Sequence, residues 1–301
     1  MIKLLHIENT SVCNASCPMC TRNVNGKELS SNFTIDSLGF DKFKSVVLPH
    51  IETLEKIMFC GTLGDPCADN NLLDKIKWIK EIKPECVVGL NTNGSIQNNH
   101  WWTQIAQLLS GIYDYVVFSI DGLEDTNHIY RVGVRWNKVI ENAKAYINAG
   151  GIAHWDMLVF DHNKHQIQEC MVMASDLGFS WFRTKETDRW NEYKFDNLLP
   201  AEDYEQIDYS KIDEVICERD REKSLYIDYT GQSWPCCYMA SINYGEIDRS
   251  KNKDMLTYTP DILMTEYQNR LKDKRPFYVC KRSCGTAVNK RSQWKTEIQI
   301  K

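Results

Sequence analysis

Cys13, Cys17 and Cys20 stand in the run Cys13-Asn14-Ala15-Ser16-Cys17-Pro18-Met19-Cys20. Thiolates at this C-x3-C-x2-C spacing can wrap one face of a cubane iron–sulfur cluster, leaving one iron without a protein ligand. Clusters that only move electrons take four thiolates, so an open iron is a place for a small molecule to bind. The competing reading is zinc, which in structural sites wants four N or S ligands, usually as closely spaced pairs. No such partner pair follows nearby: the next cysteine is Cys60.

A second constellation lies in the last third of the chain: Cys217, Gly231, Cys236-Cys237, then Cys280 and Cys284. Leu225–Tyr229 and Gln232–Pro235 read as a hairpin about Thr230-Gly231, which would return Cys236 toward Cys217. A helix near 261–271 would then carry the chain round to Cys280. Taken by themselves, four thiols gathered this way make a chemically reasonable zinc site. Cys237 is left over, as a thiol acid/base, a hydrogen donor, an alternative ligand or a small buried hydrophobe. Cys60, Cys67, Cys86 and Cys170 fall on or beside expected core elements and read as structural.

Twelve cysteines in 301 residues would suit a disulfide framework only in a shorter, secreted chain. Here the apolar run of Met1–Glu8 is broken too early for a signal sequence, and no window is apolar enough for a membrane span. The expectation is therefore a cytoplasmic metalloprotein. A net charge of -5 provides no basic field to recruit nucleic acid and argues against a DNA or RNA substrate.

The elements that must position these thiols can be read in order. Short apolar runs at 2–7, 56–60, 86–90, 115–120, 154–160 and 181–184 read as strands. Amphipathic stretches at 40–47, 71–82, 101–109, 137–148 and 166–177 read as the helices between them. Six β/α units in a row argue for a parallel sheet with helical crossovers. Functional groups should then sit in the loops after the strands, on one edge of the sheet. Composition changes after Lys185, and the polar, aromatic stretch 186–205 (Trp190, Tyr193, Leu198-Leu199-Pro200) reads as a linker. The boundary expected near 200 separates a core, 1–200, from a smaller unit, 201–301.

The loops carry further motifs: Gly61-Thr62-Leu63-Gly64-Asp65-Pro66, Asn91-Thr92-Asn93-Gly94, and Ser119-Ile120-Asp121-Gly122 followed by Arg131. Together with C-x3-C-x2-C they resemble the radical S-adenosylmethionine (SAM) superfamily. The C-terminal cysteines are similar to its shortened auxiliary-cluster module, the twitch form of the SPASM domain. The resemblance implies an α/β fold, a partial (β/α)6 TIM-like barrel with a small auxiliary-cluster domain. It implies two [4Fe–4S] clusters: a SAM-binding one on Cys13, Cys17 and Cys20, and an auxiliary one on Cys217, Cys236, Cys280 and Cys284. It places Met19, Gly64, Asp65, Pro66, Asn91, Asn93, Ser119, Asp121, Arg131 and Val159 around SAM, with Asp65 where the family usually has Glu. Arg131 would pair with the SAM carboxylate, a planar partner that suits a guanidinium.

The implied reaction is reductive cleavage of SAM to a 5′-deoxyadenosyl radical, fed by a flavodoxin- or ferredoxin-type donor, and abstraction of a substrate hydrogen. The leading expectation is an oxidoreductase that dehydrogenates a small metabolite, with the auxiliary cluster accepting the electron. The alternative is a maturase that crosslinks, epimerises or thioether-links a ribosomal peptide. Cys237, Asp228 and His162 are the candidates for the proton or hydrogen transfer that either reaction needs. In the sulfatase-maturing members of the family the chain resembles, a Pro-Cys-Asp run carries an acidic base; the run is Pro235-Cys236-Cys237 here, so that base is absent.

Overall fold

The structure is a computed structural model. It describes all residues except 25, 188, 192–194, 203–206, 213, 245–254, 256, 257 and 286–293. Tyr193, with 188, 192, 194 and 203–205 of the expected linker, thus lies outside the described residues.

Six parallel strands form the centre of the molecule: β1 (Leu4–Glu8), β2 (Lys56–Cys60), β3 (Val87–Thr92), β4 (Tyr115–Ser119), β5 (Ala153–Leu158) and β6 (Trp181–Lys185). Each pairs with its predecessor in chain order, as repeated right-handed β/α crossovers produce. The crossovers include α1 (Phe40–Val47), α2 (Leu72–Ile82), α3 (Asn99–Leu108), α4 (Trp136–Asn148) and α5 (Ile167–Leu177). Side chains alternate across a strand, and here the alternation separates two environments. Leu5, Ile7, Ile57, Phe59, Val88, Leu90, Val116, Phe118, Ala153 and Trp155 are all fully buried. They pack on the helices' apolar stripes, among them Phe43 and Val47 of α1, Ile76 and Ile79 of α2, and Val139, Ala143 and Tyr146 of α4. Each Val, Leu, Ile or Phe among them contributes about 1.5–3 kcal/mol.

The other face of the strands carries polar groups. Lys56 Nζ donates to Tyr115 Oη at 2.8 Å, and the Tyr115 ring stacks on His154 at 4.8 Å. Asp156 receives Arg183 through two bonds, at 2.7 and 3.0 Å. A parallel sheet covered by helices on one face and lined by polar side chains on the other is the expected partial barrel. The sheet does not close, because an antiparallel strand occupies each edge.

Those edges come from the C-terminal third. β7 (Ser224–Ile227) runs parallel beside β1, and β8 (Ser233–Trp234) turns back on it as the expected hairpin. β9 (Thr296–Gln299) lies antiparallel on β6. The full order is β8-β7-β1-β2-β3-β4-β5-β6-β9, so the sheet runs across residue 200 at both ends. Leu225 and Ile227 join the barrel core, while Tyr226 faces a second core with Trp234, Met239, Leu263, Tyr267, Phe277 and Val279. That second core is built from α7 (Cys237–Tyr244), α8 (Pro260–Lys272) and α9 (Tyr278–Cys284), with the short α6 (Glu218–Glu222) alongside. Thr259 caps α8 through the Ile262 N–H, with Pro260 at its first position.

Candidate active site

Parallel strands deliver their C-terminal ends to one edge, and the loops leaving them meet there around a cavity of ≈ 400 Å³. Cys17 and Cys20 line it, with Thr21 from the same loop. Asn91 is next to last in β3, Ser119 ends β4, and Met157 and Leu158 end β5 on the same cavity. The Cys13 thiol is half-buried. Burial and the nearby Asp65, Cys20 and Cys17 push it up to about 12. Burial pushes Cys17 up to about 11 against the favourable pull of Arg131. Three mutually interacting thiols on one loop are a soft donor set suited to iron–sulfur ligation.

The cysteine loop is held by a polar network. Asn93 Nδ2 donates to Asn14 Oδ1 at 2.9 Å and approaches Cys13 Sγ at 3.8 Å, while Asn14 donates to Ser95 at 2.8 Å. Asp65 lies underneath, its carboxylate accepting from the Asn93 N–H at 2.7 Å, the Cys67 N–H at 3.0 Å and the Thr92 hydroxyl. These bonds partly offset burial, which raises its affinity for a proton. Asp65 was expected to hold SAM directly. Its oxygens are instead committed to the loop after β3, and Asp65 itself does not line the cavity among the described residues. It positions the cysteine loop from behind.

The other expected site residues lie as follows. Asp121 is fully buried, accepting from the Leu158 N–H at 2.7 Å and from Arg131 Nε at 2.6 Å. Arg131 does reach the cavity wall, with Asp121 as its anchor. Gly64 and Pro66 shape the loop beneath: a methyl on Gly64 would meet Thr10 O at 2.1 Å, and Pro66 opens a buried 3-10 turn. Met19 is fully buried, and its carbonyl accepts from Arg189 Nη1 at 2.5 Å. Val159 is buried with its N–H on Lys185 O, whereas Met157 and Leu158 supply the apolar wall. His162 stacks on Phe160 at 5.3 Å, and burial lowers its proton affinity; it does not line the cavity. Asp228 is a structural acceptor. Its carboxylate takes the Thr230 N–H and hydroxyl, the Gln232 N–H, the Trp234 indole and the Tyr244 hydroxyl, which leaves it saturated rather than available as a base.

Asn91 stands apart from these. Its Oδ1 is buried and has no partner among the described residues, although the side chain lines the cavity. Buried acceptors are seldom left unpaired, so this atom suits a donor on a bound ligand such as SAM. Together with Ser119, Arg131 and the thiols, it makes a cavity whose residues fit a cluster and SAM.

A second cavity of ≈ 190 Å³ is lined by Cys217, Cys236, Cys280 and Cys284. Cys280 and Cys284 lie one turn apart on α9, and Cys236 precedes α7. Ile216 donates to Cys284 O at 3.0 Å, which fastens the Cys217 segment to the end of α9. Cys217 Sγ lies 2.7 Å from the Tyr267 hydroxyl. Burial, chiefly, raises Cys236 and Cys280, and pushes Cys284 up to about 11. Among the described residues, no three His, Cys, Asp or Glu donors converge on one point as a single ion requires. A cubane attaches its thiolates at separate corners. Cys237 lines both cavities and stands between the two thiol groups.

Sequence reasoning missed Glu8. Its buried carboxylate accepts three consecutive N–H groups, from Thr62 at 2.8 Å, Leu63 at 3.1 Å and Gly64 at 2.9 Å, and also the Tyr226 hydroxyl at 2.8 Å. One side chain thus ties the loop after β2 to the C-terminal hairpin. Burial outweighs those bonds and raises its pKa to about 7. The signal available was an acid at the end of an otherwise apolar strand. Lys185, Arg189, Arg282 and Trp294 of the cavity wall were missed as well, because they arrive from elements far apart in the chain.

No family model matches the chain. Among curated proteins it is similar to the tungsten-containing aldehyde ferredoxin oxidoreductase cofactor-modifying protein of Pyrococcus furiosus. The two are 22% identical over 292 residues, covering 86% of this chain and 77% of that protein. Among solved structures, SuiB of Streptococcus suis bound to precursor peptide SuiA superposes with a TM-score of 0.60 at 14% identity, over 93% of this chain and 76% of that one. Similarly, anSMEcpe with bound AdoMet gives 0.60 at 15% identity, over 94% and 86%. These structural neighbours are radical SAM enzymes, and the chain has their fold.

Proposed function

We propose that this chain is a radical SAM enzyme with an auxiliary iron–sulfur cluster, and that it oxidises a substrate bound between the two thiol groups. The observation that carries the reading is the placement of Cys17, Cys20, Asn91, Ser119 and Arg131 around one cavity at the C-terminal edge of a parallel sheet. When bound, the cluster and SAM supply a 5′-deoxyadenosyl radical able to take a hydrogen atom from a substrate C–H. The protein's own part is to hold and orient. Cys13, Cys17 and Cys20 would ligate three irons and leave the fourth open. Asn91 Oδ1 would accept from SAM, and Arg131 would meet its carboxylate while Asp121 fixes the guanidinium plane. Met157 and Leu158 would offer an apolar wall to the adenine.

On the far side, Cys217, Cys236, Cys280 and Cys284 would complete a fully thiolate-ligated cluster, whose chemistry is electron transfer. A substrate in the cavity would lie between the hydrogen-abstracting centre and this acceptor, which suits dehydrogenation. Cys237 would face that space as a neutral thiol, a hydrogen donor and not the base; the proton of the oxidised substrate would pass to solvent. Burial, first, and then Glu8 and Cys284 push its thiol up to about 12, so it is held as the protonated form at neutral pH. The cavity volume falls in the range of small-molecule sites.

A second reading has specific support: SuiB is seen with the peptide SuiA, and anSMEcpe with AdoMet and the Cp18Cys peptide. On that reading the same cavity receives one side chain of a peptide. The test of the two-cluster arrangement is iron and sulfide content after anaerobic reconstitution, in wild type and in Cys217/Cys236/Cys280/Cys284→Ala. About eight irons falling to about four supports the auxiliary cluster. About four in both, with zinc in wild type, removes the electron acceptor and the oxidative reading with it.

A further inference from the structure

The smaller cavity, ≈ 190 Å³, is lined by more than its four thiols. Tyr267 reaches it from α8, where Leu263, one turn earlier, is buried in the same second core. The Tyr267 hydroxyl lies 2.7 Å from Cys217 Sγ. Asp220 Oδ2 also stands near that hydroxyl, at 3.2 Å, but Asp220 is exposed and water competes for its carboxylate. Arg219, on α6, sets its guanidinium over the Tyr267 ring at 5.3 Å and bonds Asp220 through Nη1 at 3.0 Å. Its Nε is buried and has no hydrogen-bond partner among the described residues, and the same holds for Ser283 Oγ, on α9 beside Cys284. Both residues line this cavity. Buried donors are seldom left unpaired, so three donor-bearing side chains around four thiols suit an occupant that accepts hydrogen bonds. The two carboxylates of the lining, Glu218 and Glu222, are exposed, and solvent screens them.

A ligating thiolate has no proton to give, so with Cys217 bound to iron the Tyr267 hydroxyl is the donor in the 2.7 Å contact. We propose that Tyr267 and Arg219 donate hydrogen bonds to the sulfur shell of the auxiliary cluster and so raise its reduction potential, poising it to accept an electron. Reduction adds one negative charge to a cluster, and a donor at sulfur stabilises the reduced form more than the oxidised one. The substrate radical, its hydrogen atom already passed to the 5′-deoxyadenosyl radical, would lose one electron to the oxidised cluster and one proton to solvent. The role of Tyr267 and Arg219 rests on the proposed function for the cluster itself and on the observed contacts for the rest.

The test is a redox titration of the reconstituted full chain followed by electron paramagnetic resonance. The auxiliary signal is identified as the one missing from Cys217/Cys236/Cys280/Cys284→Ala. Tyr267→Phe keeps the ring and removes only the hydroxyl. At a fixed potential it should favour the oxidised cluster about tenfold over wild type, a downward shift of about 59 mV for one electron. Iron content and the first cluster's potential should stay at wild-type values. Arg219→Met should shift the auxiliary potential in the same direction. Wild type supplies a reading that needs no substitution: electron–nuclear double resonance on the reduced auxiliary cluster should detect a strongly coupled proton that exchanges in deuterium oxide. Full iron loading with an unmoved auxiliary potential in both variants overturns the proposal, as does the absence of that exchangeable proton in wild type. About four irons in wild type is a distinct failure: the auxiliary cluster is then missing, and the oxidative reading falls together with the role given to Tyr267 and Arg219.

Discussion

Gly64→Ala is the sharpest test of how the cysteine loop is positioned. An added Cβ would lie 2.1 Å from Thr10 O and 2.8 Å from Val12 O, both backbone atoms of the segment that leads into Cys13. An ordinary carbon–oxygen contact needs about 3.3 Å, so relief requires the two segments to part by about 1.2 Å. The bond from the Asp65 N–H to Val12 O spans 2.8 Å, and the same parting would stretch it beyond hydrogen-bonding range. Overpacking costs about 1–3 kcal/mol and a lost backbone bond about 1 kcal/mol, giving roughly 2–4 kcal/mol in all. Because Val12 adjoins Cys13, the same displacement should move the first thiol out of register with Cys17 and Cys20. Urea denaturation and iron content after reconstitution read the two effects separately. We expect both to fall. A variant within about 0.5 kcal/mol of wild type that loads iron fully would refute the tight-packing argument.

Three further substitutions follow from the hydrogen bonds. Asp228→Asn places an amide among five donors and should cost about 2–5 kcal/mol in urea unfolding; unchanged stability with lost turnover would restore Asp228 as a base. Glu8 has its pKa raised from 4.5 to about 7 by burial, so the folded chain keeps a proton that the unfolded chain releases. Its contribution is therefore present below pH 4.5 and lost as pH rises toward 7, about 3 kcal/mol in total. The pH profile of unfolding free energy should be flatter over that interval in Glu8→Gln, and parallel profiles would contradict the assignment. Asp65→Asn should lower both stability and iron loading, since the Asn93 and Cys67 N–H groups lose half of a shared carboxylate; a variant defective only in SAM affinity would return Asp65 to the cavity.

The sequence made the barrel readable because its strands and helices have different hydrophobic periods. The alternation at Leu5, Ile7, Ile57, Phe59, Val88 and Leu90 marks the helix-facing side, and the six strands appear within a few residues of where it puts them. The helix at 40–47 has the expected bounds. The pairing of β7 with β1 was not legible, nor was that of β9 with β6. Strand pairing at long separation depends on which edges remain open, and local pattern says nothing of that. The thiols were legible from spacing. For Asp65, Asp121 and Asp228 the motif identifies an acid and leaves its partners unstated. Each is surrounded by backbone or side-chain donors, whereas Asn91, Ser119 and Cys237 line the cavity. Glu8 went unnoticed because its three N–H partners lie more than fifty residues away.

The central claim is that three cysteines at this edge of the sheet hold a cluster whose open iron binds SAM and cleaves it. The direct measurement is 5′-deoxyadenosine formed from SAM and dithionite by the reconstituted protein, compared with Cys17→Ala and with Cys217/Cys236/Cys280/Cys284→Ala. The account predicts formation in wild type, none in Cys17→Ala, and persistence in the four-cysteine variant, which leaves the first cluster in place. No 5′-deoxyadenosine from a wild-type protein loaded with iron and sulfide would contradict it.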